Sequence, residues 1–332
     1  MKKNGISLLV TLVAFGIGIF FGIQIQSDNF EEKNIFVERT GTGYLVNPLI
    51  ECELSTFGSN QKYIPFENDV KKRIKNEILS KNPDLQMSLY FRNLRNGPWF
   101  GIGEDEDFAP ASLMKLPVAV SYMKWSEYVQ EVKTFAFTGI ADSMYIQNIP
   151  PEKMVIPGKL YSLNELIELS LAYSDNNANE TLSSHLPRDI IYKVFNDLDL
   201  PIIGKLEAGE NDYISVKEYA SFFRILYNAS YLSDVDSSFL LDIMTRSAMS
   251  GGIRASIPND IIVAHKFGER RIQNADNTTY ISQFHDCGIV YYADYPYIVC
   301  IMTKGGDSIP RLEKIVENAS SIIFEEIRKR YK

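Results

Sequence analysis

The chain has 332 residues, 45% of them hydrophobic and 23% charged, ordinary values for a globular protein with a sizeable core. Its formal net charge is −8, which excludes a nucleic-acid partner held by phosphate neutralisation, because that mode needs a basic surface.

In chain order, Met1-Lys2-Lys3 precedes an uncharged run of 21 residues, Gly5 to Ile25. That length crosses a hydrocarbon core as a helix. The run ends in Gly22-Ile23-Gln24-Ile25-Gln26, without a small-residue cleavage pattern, so a retained anchor is the expectation and a removed signal peptide the alternative; either way the bulk is exported. Lys2 and Lys3 lie before it and Asp28, Glu31 and Glu32 after it, so the positive-inside bias places the remainder outside the cytoplasm. The expected organisation is a cytoplasmic tip (1–4), a transmembrane anchor (5–26), a stalk with an extended segment (27–66) and one exported domain (67–332). Within the stalk, Tyr44-Leu45-Val46-Asn47-Pro48-Leu49-Ile50 is too apolar for a free linker and is expected to pack on the domain.

Glu67 to Ser80 reads as an amphipathic helix carrying Val70, Ile74 and Ile78 on one face. Met87 to Arg92 alternates like a strand, Asn96-Gly97-Pro98 supplies a turn, and Trp99 to Ile102 returns, which predicts a hairpin. Ala109-Pro110-Ala111-Ser112 leads into an apolar run through Val120 that suits a buried helix. Further helices are expected over Leu163 to Ala172, over Tyr213 to Tyr227 with Ser215 as N-cap, and over Asp234 to Met244. Strands follow at Ile261 to Lys266, Gly288 to Tyr292 and Tyr297 to Thr303, then a terminal helix from Glu313 to Arg330. Strands at both ends of a helical middle imply one sheet completed by distant segments, with helices packed on it.

Three cysteines, Cys52, Cys287 and Cys300, do not make a disulfide framework. Cys287 and Cys300 fall in two strand-like runs and could face each other, but buried free thiols are the simpler expectation. The histidines, His185, His265 and His285, form no pair at metal-ligand spacing, and no cofactor is expected.

Ser112-Leu113-Met114-Lys115 places a hydroxyl and an amine at i and i+3 on one helical face. A serine hydroxyl becomes a nucleophile only when a base takes its proton, and Lys115 is that base if its pKa is depressed. The same spacing occurs at Ser59 and Lys62, in an irregular polar stretch, and at Ser121 and Lys124, late in the same helix. Only Ser112 follows a proline turn and opens an apolar run. Ser174-Asp175-Asn176 is the second candidate box; its copy at Ser27-Asp28-Asn29 precedes every folded element. Taken alone, Ser-Asp-Asn is more often a turn. The third is His265-Lys266-Phe267-Gly268 at the end of a predicted strand, with Lys304-Gly305-Gly306 as a rival leading into a loop.

The order and spacing of these boxes resemble those of the class A β-lactamase and penicillin-binding serine hydrolase superfamily. The resemblance extends to Leu163-Asn164-Glu165-Leu166, to Ala172 through Asn179, to Ser250 through Pro258, to His285 through Tyr291 and to Tyr297 through Thr303, covering roughly residues 67–332. It implies an α+β fold, an antiparallel sheet built from both chain ends with helices on its faces and an all-helical middle. It further implies that Ser112 attacks an amide carbonyl and that Lys115 serves as base. Ser174 would pass a proton to the leaving nitrogen, and Asn176 would bind a substrate amide. Lys266 would steer a substrate carboxylate and support Ser174. Gly268 and Glu269 would line the substrate path, with the N–H groups of Ser112 and Glu269 as the oxyanion hole. The implied partner is a β-lactam or a D-alanyl cell-wall peptide.

Two departures stand out. The third box usually carries a hydroxyl residue in its middle, where this chain has Phe267. Arg270 and Arg271 are candidate replacement charges, although a solvated surface pair is the simpler reading. The stretch between Ser174 and Ser215 is shorter than in that family, and Glu207-Ala208-Gly209-Glu210-Asn211 is the only counterpart to its deacylating E-x-x-L-N loop. Glu207 is the candidate base, with an exposed surface loop as the alternative. These departures also fit a slow-releasing penicillin-binding peptidase, or a ligand-sensing pseudoenzyme on the same fold. Steady turnover that needs Lys115 would separate an enzyme from the pseudoenzyme.

Overall fold

In the computed structural model, residues 44–47, 63–129, 134–139, 147–209, 211–273, 280–293, 295–306 and 308–331 are described, all within one compact unit. The expected anchor at 5–26 lies outside them, as do Cys52, Ser27-Asp28-Asn29 and the Ser59–Lys62 pair. Among the described residues no helix is long and apolar enough to cross a membrane.

Helix α1 (Glu67–Arg73) continues through irregular turns to Lys81. Strands β1 (Gln86–Asn93) and β2 (Trp99–Ile102) form the expected hairpin, and β3 (Asp107–Phe108) follows. Helix α2 (Lys115–Ser126) is apolar all round and buried, as the run through Val120 requires. Strands β4 (Thr134–Ala136) and β5 (Leu160–Ser162) pair with each other, and α3 (Leu163–Leu171) starts at a capping box in which Ser162 and Glu165 exchange bonds. Helices α4 (Asn176–His185), α5 (Arg188–Asp197) and α6 (Ile202–Glu207) complete the helical middle. Strand β6 (Ile214–Ser215) pairs with β3, and Ser215 caps α7 (Val216–Asn228) through a second capping box with Glu218. Helix α8 (Asp234–Thr245) leads to β7 (Ile262–Gln273), β8 (Tyr280–Tyr291), β9 (Tyr297–Lys304) and the terminal α9 (Ile309–Arg330).

The main sheet has the order β2-β1-β9-β8-β7, antiparallel throughout, so the last three strands extend the first hairpin and β7 is a free edge. Its two faces bury separate apolar clusters. Tyr90, Ala264, Ile289, Ile298 and Met302 pack under the helical middle; Phe91, Phe284, Val299 and Ile301 pack under α9 and α1. The second layer begins upstream of α1, because Ile64 and Phe66 are buried in it. The apolar segment at 44–47 does pack on the domain: Leu45 and Val46 are buried, Asn47 donates its N–H to the Tyr227 carbonyl at 2.6 Å, and the Tyr291 hydroxyl bonds the Leu45 carbonyl.

Three expectations need correction. The strand expected at Gly288 to Tyr292 begins eight residues earlier, at Tyr280, because its first half pairs with β7. Strand β7 does not end at Lys266 but runs to Gln273, so Lys266 sits mid-strand. The extension is Phe-Gly-Glu-Arg-Arg, whose polarity masks a strand that exists because β8 pairs with it residue by residue. The thiols are not free either. Register sets Cys287 directly opposite Cys300 on neighbouring strands, and the two form a disulfide.

Candidate active site

The turn that carries Ser112 is held from three sides. Pro110 opens a tight 3-10 turn, Ala111–Met114, that feeds α2, and Ala111 adopts a left-handed backbone with φ 50°. Such a conformation costs an alanine energy and persists only where its surroundings impose it. Those surroundings are visible. The Tyr219 hydroxyl donates to the Leu113 carbonyl at 2.9 Å. His285 Nε2 bonds the Ala109 carbonyl at 2.9 Å, while its Nδ1 accepts from the Thr303 N–H at 3.2 Å. Burial drives the His285 pKa down to about 4, so this clamp is a neutral imidazole with its proton on Nε2. Behind the turn lies Gly268 of β7. A Cβ there would stand 2.9 Å from both the Leu113 nitrogen and the Pro110 carbonyl oxygen, so only glycine lets the strand approach this closely. Ser112 itself is half-buried.

One helical turn further on, the buried Lys115 amine donates to the Ser174 carbonyl (2.5 Å), Ser174 Oγ (3.1 Å) and Asn176 Oδ1 (2.7 Å). These bonds join the first box to the second; none runs to Ser112. Removal from water lowers the Lys115 pKa to about 7, against the opposing pull of Asp175 and Glu269. Its three donated bonds use all three N–H groups of the protonated amine; a pKa of about 7 puts loss of one of those protons, which frees a lone pair that can accept another, within reach near physiological pH.

The second box is shaped by its aspartate. Asp175 caps α4 by accepting the Asn177 N–H at 3.0 Å, and its other oxygen accepts the Val155 N–H at 2.8 Å. Burial raises its pKa while these bonds hold it down. The cap turns the chain sharply, and Ser174 sits in left-handed backbone at φ 56° with its side chain buried.

The third box completes the constellation. Lys266 is fully buried; its amine donates to Ser174 Oγ at 3.0 Å and to the Phe267 carbonyl at 2.8 Å. Burial, followed by the nearby Lys115, depresses its pKa well below the ordinary lysine value. Ser174 Oγ therefore lies between two amines that are both tuned toward neutrality, an arrangement suited to relaying a proton. Phe267 packs its ring against Phe284, and the Lys266 amine stands 4.3 Å from the centre of that ring.

A rim that no motif announces spans the open edge of β7. The Gln147 amide donates to the Ser174 carbonyl at 2.7 Å and accepts from the Asn176 N–H at 3.4 Å. The next two residues bind Glu269. Its carboxylate accepts the Asn148 N–H (2.8 Å), the Asn148 side-chain amide (2.5 Å) and the Ile149 N–H (3.3 Å). Neither Gln147 nor Asn148 belongs to a periodic segment or a box, so their place became legible only with the fold.

The rival motifs lie elsewhere. Ser121 is buried and bonds the Pro117 carbonyl, Lys124 pairs with Glu127, and Lys304 pairs with Asp212. Glu207 ends α6 and is exposed to solvent. Arg271 lies over the ring of Tyr280, and Arg270 acts electrostatically on Tyr213.

A family model described as "Beta-lactamase enzyme family" matches residues 69–327. No curated protein shows a significant match in sequence. Among solved structures, PBP-A is 21% identical with a TM-score of 0.63, over 79% of this chain and 97% of that one. A representative class A beta-lactamase from Bacteroides cellulosilyticus is 15% identical with a TM-score of 0.62, over 78% of this chain and 99% of that one. A beta-lactamase from Francisella tularensis is 16% identical with a TM-score of 0.64, over 79% of this chain and 100% of that one. At these identities the structural likeness concerns the fold.

Proposed function

This chain belongs to the beta-lactamase enzyme family, and we propose that it is an active-site serine hydrolase, acylated at Ser112 by the amide of a β-lactam or a D-alanyl peptide. One observation carries the reading: the hydrogen-bonded chain from Lys115 through Ser174 Oγ to Lys266, set one helical turn from the half-buried Ser112. In the proposed reaction neutral Lys115 accepts the Ser112 proton as the oxygen attacks the carbonyl carbon. The N–H groups of Ser112 and Glu269 receive the developing oxyanion. The C–N bond breaks, and Ser174 delivers its proton to the leaving nitrogen while drawing one from Lys115. Water then cleaves the ester and restores Ser112. The exposed position of Glu207 supports an acyl-enzyme that releases slowly, since the candidate deacylating carboxylate is held in solvent.

The Cys287–Cys300 disulfide supports an extracytoplasmic location, since such bonds persist in oxidising compartments. The apolar run at 5–26 is the proposed anchor. Time-resolved intact-protein mass spectrometry after exposure to a panel of β-lactams tests the function. An adduct that maps to Ser112 and vanishes in Ser112→Ala is expected. No adduct from any member of the panel, or an undiminished one in the variant, would defeat it.

A further inference from the structure

A lysine in the third box can hold a substrate carboxylate only if it has a donor to spare. Lys266 has one at most. Two of its protons are directed to Ser174 Oγ and the Phe267 carbonyl, and the amine lies 4.3 Å from the centre of the Phe267 ring, itself buried beneath α9 against Phe284. The middle of the box offers no hydroxyl, and the cross-strand partner of Phe267 is an acid, Asp286, whose oxygens are taken by His265 and the Ile253 N–H.

The rim adds a negative charge. Glu269 follows Gly268, the residue pressed against the Ser112 turn. Gln147 bonds the backbone of Ser174 and Asn176, and its immediate neighbours Asn148 and Ile149 bond the Glu269 carboxylate. Adjacent residues are ~3.8 Å apart between α-carbons, so the short link brings this carboxylate close to the second box, on the open edge of β7. All three groups bonded to it are neutral N–H donors, which leave its charge in place. Burial dominates both lysine amines, yet Glu269 acts on each of them in the opposite sense, so its field reaches the reacting groups.

From these placements we infer that Glu269 sets specificity against an anion: the site selects amides whose leaving side carries a neutral or cationic group, not a carboxylate. The inference rests on Ser112 acylation and deepens it by naming the substrate class. A carboxylate arriving beside Lys266 meets an amine already bonded to Ser174 Oγ and the Phe267 carbonyl, and a like charge on the rim, whereas a neutral ester, a carboxamide or an ammonium does not meet that repulsion.

The test compares benzylpenicillin with its methyl ester and its choline ester on the full chain, following acylation of Ser112 by mass spectrometry. Each rate is divided by that compound's hydrolysis rate in alkali to remove intrinsic reactivity. The expected order is acid slowest, methyl ester at least tenfold faster, choline ester equal to or faster than the methyl ester. In Glu269→Gln the acid-to-methyl-ester ratio should rise at least fivefold. Acylation by the acid as fast as by the esters would overturn the inference while leaving the serine mechanism intact. So would an unchanged ratio in well-folded Glu269→Gln, or selective loss of the acid reaction in Arg270→Ala, which would make Arg270 a carboxylate anchor. Failure of all three compounds to label Ser112 would sink the underlying function instead.

Discussion

On the side of the sheet under the helical middle the apolar cluster surrounds buried polar groups, Lys115, Lys266 and Ser174, flanked by left-handed backbone at Ala111 and Ser174. On the side beneath α9 they are Phe91, Phe284, Val299 and Ile301, in ordinary strands. The second face also holds buried polar groups, and they are satisfied: His265 bonds Asp286 at 2.9 Å with a further bond from the Ile253 N–H, and Ser320 accepts from Ser256 at 2.7 Å. The difference separates two jobs. Burying apolar surface stabilises by about 25 cal/mol per Å² and asks nothing of the backbone. Burying two amines side by side costs stability and forces them toward neutrality. Chemistry is therefore concentrated where the local rules of folding are broken, and stability where they are kept.

Substitutions on the two faces should dissociate activity from stability. The largest effect is expected for Ser112→Ala: no covalent adduct, with a melting temperature within a degree or two of wild type. An adduct mapped to a different serine would break the comparison at its root.

Next comes Lys115→Met. Loss of a general base typically lowers a rate by roughly 10²–10⁴-fold, and removal of a buried amine should leave stability equal or higher. The pH dependence sharpens this. Because the base must be neutral, the wild-type acylation rate should rise with pH through about 7. The same depressed pKa has a stability consequence. Between about 7 and the ordinary 10.5, the unfolded chain holds a proton on Lys115 that the folded chain has released. Stability should thus rise with pH across that window, and Lys115→Met should lack that contribution. A flat acylation profile through pH 7 would remove Lys115 from the base role.

The reverse pattern is expected for Phe284→Ala beneath α9. Truncating a fully buried phenylalanine costs about 3–5 kcal/mol. Differential scanning fluorimetry should show a large drop in melting temperature, while acylation per folded molecule stays within about twofold. Replacing both Cys287 and Cys300 by alanine should cost somewhat less, about 3 kcal/mol on the chain-entropy account of a short disulfide loop. Smallest is Ser215→Ala, which breaks the α7 capping box and should cost about 1 kcal/mol.

Much of this was readable before the fold was known. The three boxes, the N-cap at Ser215, the hairpin ahead of residue 102 and the terminal helix all depend on spacings of three or four residues, or on alternation, so local geometry dictates them. The helices at 176–185 and 188–197 were harder to see: Asn-Asn-Ala-Asn-Glu-Thr-Leu-Ser-Ser-His is weakly apolar, and packing rather than propensity makes it helical. The far half of β7 was hidden for a related reason, because an edge strand of Gly, Glu and Arg shows no apolar alternation.

What the amino-acid order determined alone is the set of groups that could do chemistry and the elements that carry them: a hydroxyl and an amine one helical turn apart, a capped Ser-Asp-Asn turn and a lysine on a strand. Tertiary structure alone decided that the Lys115 amine bonds the second box, that the Lys266 amine bonds Ser174 Oγ, that Cys287 meets Cys300, and that Gln147 and Asn148 tie the second box to Glu269. The reason is range. Hydrogen bonds and periodicity within a few residues are written into the chain, whereas contacts between segments further apart, such as Cys287 with Cys300 (13), Lys115 with Asn176 (61) and Asn148 with Glu269 (121), exist only once the sheet's register and the packing of the helices have been set.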